Sequence, residues 1–513
     1  MNLTGLKDII ASDSALDQAC GSISSARNGV FVVPAGARPV VLATLSEYGQ
    51  AQPLIALTAT GREAERLTAA LRSWTDRVEM FPSWETLPHE RLSPQVDTMA
   101  RRIAVLRRLV HPVAGDPHAG PLSVLVVPIR AFLQPIIRGV ADIEVVRVKV
   151  GDRVGLTDLV DRLTELGYQR TDMVESRGQV SVRGGILDVF PPQEAHPLRI
   201  ELWGDEVDEI RAFSLQDQRT LGEAPDGLWA TACRELLLNR AVRARARELA
   251  TELPGATEML TLASEGIAAP GIESLAPVLT SGMDRLLDLL PADSPIIACD
   301  PERITARAQD LIATTEEFLA AAWSTAAGGG HVPIQAGEAS FLHYEDIWKS
   351  DDRAWWELTT LPPPELADVL GEDTSDALGK DTSDALAEET KAVVASPTLM
   401  SMGARDVRSY RGDFVSASAD LKQLASQGWR IVITTEGPGP ARRIRTIMAE
   451  AGVRASLRDD IETPVEAGSV AVTTAQAGQG FVLPDEQFVI LTESDLTGRT
   501  GSTTRDMRRM PSR

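Results

Sequence analysis

The chain has 513 residues, 43% of them hydrophobic, a formal net charge of −22 and an isoelectric point near 4.8. That length holds roughly three or four domains, and the apolar fraction supports packed cores and excludes a disordered chain. The acidic balance argues against a protein whose whole surface grips nucleic acid and leaves room only for local basic patches.

Cys20, Cys233 and Cys299 are far apart and odd in number. They offer neither metal-ligand spacing nor a disulfide framework, which fits a reducing cytosol. The N-terminus lacks a basic stretch followed by a long apolar run, and no apolar run approaches the roughly 20 residues needed to span a bilayer. A soluble cytoplasmic protein, with no membrane partner, is the expectation.

In chain order, Leu3, Leu6, Ile9, Ile10 and Leu16 predict a short amphipathic helix and a linker to about residue 30. Two apolar runs follow, Pro39-Val40-Val41-Leu42-Ala43-Thr44 and Pro53-Leu54-Ile55-Ala56-Leu57-Thr58, both read as buried strands. Thr60 and the helical pattern to Leu71 complete a strand, cap and helix, the start of a parallel α/β sheet. Ser123 to Pro128 reads as a third strand, preceded by a helix through Arg101 to Leu109. Between them, the segment from Phe81 to Pro94 is punctuated by prolines and cannot be a long helix. Its Phe81 and Trp84 either plug a core or present a surface.

Residues 143–235 read as a second unit inserted into the first. A helix over 156–166 ends at Gly167, which suits a C-cap. Then come Gln179-Val180-Ser181-Val182, Arg183-Gly184-Gly185-Ile186-Leu187-Asp188-Val189-Phe190-Pro191-Pro192 and Pro197-Leu198-Arg199-Ile200-Glu201-Leu202-Trp203-Gly204-Asp205. Each run alternates apolar and polar residues between Gly or Pro, the pattern of consecutive antiparallel strands with one face buried. Val180, Val182, Leu187, Val189, Leu198, Ile200 and Leu202 share the core face. Ser181, Arg183, Asp188, Phe190, Arg199 and Glu201 fall on the other.

Residues 236–362, helical apart from a strand at 295–300, lack a complete sheet of their own and are assigned back to the first domain, whose first part is 1–142. An acidic linker with a direct repeat, Asp373-Thr374-Ser375-Asp376-Ala377-Leu378 and Asp381-Thr382-Ser383-Asp384-Ala385-Leu386, covers 363–390. Residues 391–497 read as a small α/β domain of unassigned role. The basic stretch 498–513 reads as a linker to a missing C-terminal half. The fold class is therefore α/β multidomain: a degenerate P-loop-type parallel α/β domain, an inserted, mainly antiparallel α+β domain, and a further small α/β domain.

No catalytic constellation emerges. A phosphate loop needs close glycines, a Lys and a Ser or Thr. The stretch Leu45-Ser46-Glu47-Tyr48-Gly49-Gln50 offers one glycine and no lysine. In the turn Glu436-Gly437-Pro438-Gly439-Pro440, two prolines remove N–H donors. The six histidines show no ligand spacing and no Gly-x-Ser-x-Gly elbow is present. No metal site and no nucleotide site is expected here.

The run from Arg183 to Pro191, with Leu198 to Val207 and Gln218-Arg219-Thr220, resembles the UvrA-binding module shared by UvrB and the transcription-repair coupling factors. The stretch Phe81-Pro82-Ser83-Trp84-Glu85-Thr86-Leu87-Pro88 is similar to the same position in the coupling factors. A UvrB would carry an intact phosphate loop and an aromatic-rich hairpin, so the resemblance points to the coupling-factor family. It covers about 30–360 well and 391–495 more weakly.

The resemblance implies a parent protein that is an ATP-driven translocase on double-stranded DNA. Such a protein displaces stalled RNA polymerase and recruits UvrA for nucleotide excision repair. ATP and magnesium would be held in a C-terminal motor outside this chain, and a C-terminal domain would mask the UvrA-binding surface. The alternative is a UvrB-related ATP-dependent protein that binds damaged DNA.

The binding residues expected are Arg170, Arg177, Arg183, Phe190 and Arg199, with Asp188 a weaker candidate, because planar guanidinium groups and rigid rings dominate interface energetics. The competing readings are cross-strand pairing of Arg183 and Arg199 with Asp188 and Glu201, and a bulge that turns Phe190 into core. A separate possibility is DNA contact by Arg101, Arg102, Arg107 and Arg108, two adjacent pairs on one helix, which otherwise form a solvated face.

Overall fold

The computed structural model describes residues 2–23, 28–49, 52–87, 92–327, 341–362 and 398–498. The acidic repeat of 363–390, the basic stretch after 498 and most of the proline-rich turn around His89 lie outside the described residues.

The first domain is built on a seven-stranded sheet whose strands are all parallel. Their order is Thr398–Ser401, Asn28–Val32, Trp355–Thr359, Ile296–Cys299, Leu54–Thr58, Val124–Pro128 and Val78–Met80. The two central apolar runs are buried at every position. That is what a strand covered on both faces requires. Alternate residues feed two cores. Ile55, Leu57, Leu125 and Val127 join one, which continues into the inserted unit. Leu54, Ala56, Val124 and Val126 join the other, shared with the N-terminal helices and the last domain.

The run Pro39–Thr44 corrects the strand expected there. It lies inside the helix Arg38–Tyr48, where Pro39 to Ser46 are all buried. A helix buried on every side carries the same continuous apolar run as a buried strand. The actual first strand is Asn28–Val32. The turn where a phosphate loop would sit is therefore 33–37, and the stretch from Leu45 is the helix's last turn. At that turn, a Cβ added to Gly36 would come 2.5 Å from the Gly480 carbonyl oxygen of the last domain. Arg38, next in line, forms a two-pronged ion pair with Asp300 at 2.7 and 2.5 Å.

The inserted unit opens with Val146–Val148 and the helix Leu156–Glu165, closed by Gly167 at φ +85°. Its six-stranded sheet runs Thr220–Glu223, Glu206–Phe213, Leu198–Trp203, Ile186–Val189, Gln179–Arg183, Gln169–Arg170. The first five form the expected antiparallel meander, with a bulge between Glu201 and Leu202. Gln169–Arg170 adds a parallel edge.

The last domain has a second six-stranded sheet, ordered Arg405–Asp406, Phe481–Leu483, Phe488–Thr492, Arg430–Thr434, Val470–Thr473, Ala455–Leu457. It is not an independent bead. Thr398–Ser401, placed with this domain by sequence, pairs instead with Asn28–Val32 in the first sheet. Phe481, Phe488 and Ile490 share a core with Leu3, Leu6 and Val40. The Leu3 N–H donates to Ser73 O, and the Gly5 N–H donates to Ile461 O at 2.8 Å.

Candidate partner-binding face

The meander's register defines its outer face. Ser181 stands opposite Asp188, Asp188 opposite Arg199, and Arg199 opposite Arg211. One pair further along, Arg183, Ile186, Glu201 and Glu209 form a second row. Of the expected residues, Arg183, Asp188 and Arg199 thus share this face, but they do not share one environment.

Arg199 donates two hydrogen bonds to the Asp188 carboxylate, at 2.7 and 2.8 Å, and lies 4.6 Å over the Phe213 ring. The bonds to Asp188 raise the pKa of the Arg199 guanidinium. Asp188 is buried under this pair. The cross-strand pairing weighed in the sequence is therefore present, though with Asp188 serving Arg199 alone. Glu201 is taken by Arg211, at 2.7 Å.

Phe190 is a correction. It is 4% exposed, with the Arg177 guanidinium 5.0 Å over its ring. Arg177 is itself tied to Asp97 at 3.3 Å and to Glu194 O at 3.0 Å. No slipped register is needed. Phe190 follows the last residue of its strand and keeps the outward side, and a neighbouring guanidinium covers it.

Two expected residues are exposed. Arg183 ends its strand and donates to Asp172 O at 3.0 Å. Arg170 is exposed at the parallel edge, but its register partner is Val180, so it leaves the sheet from the side opposite to Arg183.

The sequence reading assigned no role to Trp203, which is 85% exposed. Trp203 closes its strand before a turn with Gly204 at φ +66°. Glu201 pairs with Ile186, and the Leu202 N–H donates to Gly185 O at 2.9 Å, so this turn sits beside the Arg183–Gly184–Gly185 turn. Gly184, at φ +63°, has nothing within 4 Å of an added Cβ, and its glycine serves the turn. One end of the sheet therefore presents a fixed guanidinium and an open indole on adjacent hairpin tips. Alternation along the strand puts Trp203 on the outer side, but only the open surroundings of the two turns, exposed at Arg183 to Gly185 and at Gly204 to Glu206, show that nothing covers it.

The proposed DNA-contacting arginines divide differently. Arg102 is fully buried, so it presents no charge to a phosphate, which removes it from that set. It bonds Glu235 at 2.6 Å and Pro82 O at 2.8 Å, and lies 4.3 Å over Phe81. Arg107 donates to Ile143 O and Arg108 to Gly120 O, both at 2.8 Å. Burial lowers the Arg108 pKa, against the pull of Glu79. Arg101 is exposed. This helix spends three of its four arginines on its own neighbours. In the segment before it, Phe81 is core, while Trp84 is half-buried and donates its indole N–H to Glu235 at 2.9 Å.

Among the described residues, no group of three or more His, Cys, Asp or Glu side chains is arranged to hold a metal ion. No described helix is long and apolar enough to cross a membrane.

Residues 146–227 match the model of the UvrB interaction domain, and 424–496 that of the MFD D3 domain. A transcription-repair-coupling factor of Mycobacterium tuberculosis is 39% identical over 489 residues, 91% of this chain. The chain belongs to the transcription-repair-coupling factor family. It spans 37% of that relative's length. Family members from Bacillus subtilis (23% identical, 87% of this chain, 36% of the relative) and Escherichia coli (25% identical, 62% and 26%) match as well. The chain thus corresponds to a segment of these coupling factors. The solved Hef helicase domain of Pyrococcus furiosus aligns over 95% of this chain and 97% of that one, but its TM-score of 0.16 and 10% identity are too low to speak to the fold.

Proposed function

We propose that the chain is the UvrA-docking segment of a coupling factor, and that UvrA binds the end of the meander bearing Arg183 and Trp203. The observation that carries this reading is that the region matched by the UvrB interaction domain, 146–227, holds an exposed aromatic beside an exposed arginine on two adjoining turns. Rigid rings and guanidinium groups of this kind anchor protein interfaces. Arg170 flanks the site at the sheet edge. Arg199, Asp188, Arg177 and Phe190 support the face from within.

On this reading the longer protein is an ATP-driven translocase on double-stranded DNA. It engages stalled RNA polymerase in the cytoplasm and then recruits UvrA. ATP and magnesium are held outside these residues, and a C-terminal domain covers the docking face until the polymerase is engaged. The alternative, a UvrB-related ATPase, would need a phosphate loop at 33–37. That turn has one glycine and no lysine, and the last domain backs it at Gly36. ATP turnover by this chain would restore the alternative.

The test is binding of the 513-residue chain to immobilised UvrA. Arg183→Ala and Trp203→Ala should each weaken it by about thirtyfold, the effect of a hot spot of about 2 kcal/mol. Undiminished binding by an Arg170→Ala/Arg183→Ala variant would show that UvrA docks elsewhere.

A further inference from the structure

The last domain carries a concentration of unpaired positive charge, which stands out in a chain of net charge −22. The helix Pro438–Glu450 buries Ala441, Ile444 and Met448 against the sheet. Its outward side presents Arg442, Arg443 and Arg445, all exposed. Arg454 and Arg458 follow on either side of the strand Ala455–Leu457, which is the outermost of its sheet. An open cleft of about 550 Å³ runs between this helix and that strand, lined by Arg445, Thr446, Ala449, Val453 and Arg454.

Among the described residues, none of these five guanidinium groups has an ion-pair or side-chain hydrogen-bond partner. Many arginines elsewhere bond carboxylates, among them Arg102, Arg138, Arg147, Arg199, Arg211, Arg234 and Arg353; what distinguishes the last domain is five without such a partner gathered on one helix and its neighbouring strand. Arg442 and Arg445, three apart on a helix, repel each other. Glu450 does not relieve them, because it lies five positions past Arg445, about 140° round the helix. Asp459 and Asp460 flank the strand's far end, where Asp460 accepts the Asn2 N–H.

We infer that this cleft is a binding surface for the phosphate backbone of nucleic acid, read without regard to sequence. Guanidinium groups on both walls of a groove match a rail of phosphates, and no ring is positioned there to stack on a base. On the helix Val96–Val110, the other candidate for DNA contact, Arg102, Arg107 and Arg108 are taken up by neighbouring groups and only Arg101 is exposed. A cluster of free charge lies here instead, in a domain that carried no functional signal in the sequence.

The experiment is fluorescence anisotropy of the full chain with a labelled duplex of arbitrary sequence, from about 50 to 200 mM salt. An Arg442→Gln/Arg445→Gln/Arg454→Gln variant should bind more weakly. Its plot of log K against log salt should flatten by about 2.7, or 0.9 for each lost phosphate contact. Arg445→Gln alone should flatten it by about 0.9 and keeps the test readable if the triple variant fails to fold. A charge-matched control, Arg62→Gln/Arg66→Gln/Arg247→Gln, should bind as the parent does. An unchanged slope in the cleft variants, or an equal loss in the control, overturns the proposal. So does cleft-dependent binding of polyglutamate without binding of the duplex, which would assign the cleft to an acidic protein.

Discussion

The Arg102–Glu235 pair offers the sharpest test of how the inserted unit is fastened to the first domain. Both side chains are fully buried, with a 2.6 Å bond between them. Arg102 also serves Pro82 O and lies over Phe81, and Glu235 accepts the Trp84 indole N–H. Arg102→Ala leaves a buried carboxylate with only that indole. Breaking one partner from such a pair costs about 3–5 kcal/mol, because a charge is left buried and uncompensated. Glu235→Leu should cost about as much for the same reason. The double variant Arg102→Ala/Glu235→Leu removes both charges, leaving Pro82 O and the Trp84 N–H unsatisfied at about 1–3 kcal/mol each. The double change should therefore cost several kcal/mol less than the two singles together, a coupling of at least about 2 kcal/mol. The assay is urea unfolding of the four proteins followed by far-ultraviolet circular dichroism, with the first transition compared across the set. Additive costs, within about 0.5 kcal/mol, would refute the reasoning. So would an Arg102→Ala variant as stable as the parent that loses DNA binding, since Arg102 would then be a phosphate contact.

Phe190→Ala should cost about 3–5 kcal/mol, as for a ring lost from a packed site, whereas Arg183→Ala should stay within about 0.5 kcal/mol; denaturant midpoints distinguish them. Gly36→Ala places a methyl 2.5 Å from Gly480 O and should destabilise the junction of the first and last domains by about 1–3 kcal/mol, read as faster proteolysis between them. Burial raises the thiol pKa to about 12 at Cys233 and Cys299 and about 11 at Cys20. In the native chain at pH 8 Cys233 and Cys299 should therefore resist iodoacetamide until urea unfolds it, and early labelling of either would refute their burial. Because a raised thiol pKa makes the folded state hold its proton more tightly, this contribution to stability is full below about pH 9. It is lost as pH rises toward about 12, and a flat alkaline stability profile would contradict it.

Much of the fold was legible, and the failures share a cause. Leu54–Thr58 and Val124–Pro128 were found because a strand covered on both faces is a short apolar run with clear punctuation. The same rule misread Pro39–Thr44, since a fully buried helix has no polar stripe to betray its period. Asn28–Val32 was missed because Asn28 and Gly29 disguise it; Gly29 is required there, as a Cβ would lie 2.7 Å from the Trp356 ring. In the meander, alternation assigns the correct face to the residues of the central strands. It could not say what covers that face. Phe190 is capped by Arg177, whose own anchors, Asp97 and Glu194 O, are set by packing across the chain. Exposure of Trp203 and burial of Arg102 are likewise properties of tertiary neighbours, which no local pattern encodes.

The shared core of the first and last domains bears on how the two proposed surfaces work together. Phe481, Phe488 and Ile490 pack in one cluster with Leu3, Leu6 and Val40, and Thr398–Ser401 extends the first sheet. The meander joins the opposite face of that same sheet through the other core, which runs from Ile55 and Leu125 to Val180 and Ile200. The arginine cleft and the Arg183–Trp203 turns therefore belong to units packed on the two faces of one seven-stranded sheet. Interfaces of this kind, continuous with domain cores, resist relative motion far better than polar contacts between separate domains. If the cleft holds a duplex, the docking turns are carried at a fixed bearing to it. UvrA captured there would be held at a set position beside the nucleic acid rather than on a free tether. Cross-linking of bound UvrA to the duplex should then map to one narrow register. Gly36→Ala, by loosening the junction, should broaden that register without weakening UvrA binding itself. A register equally broad in the parent would mean that the two surfaces act independently.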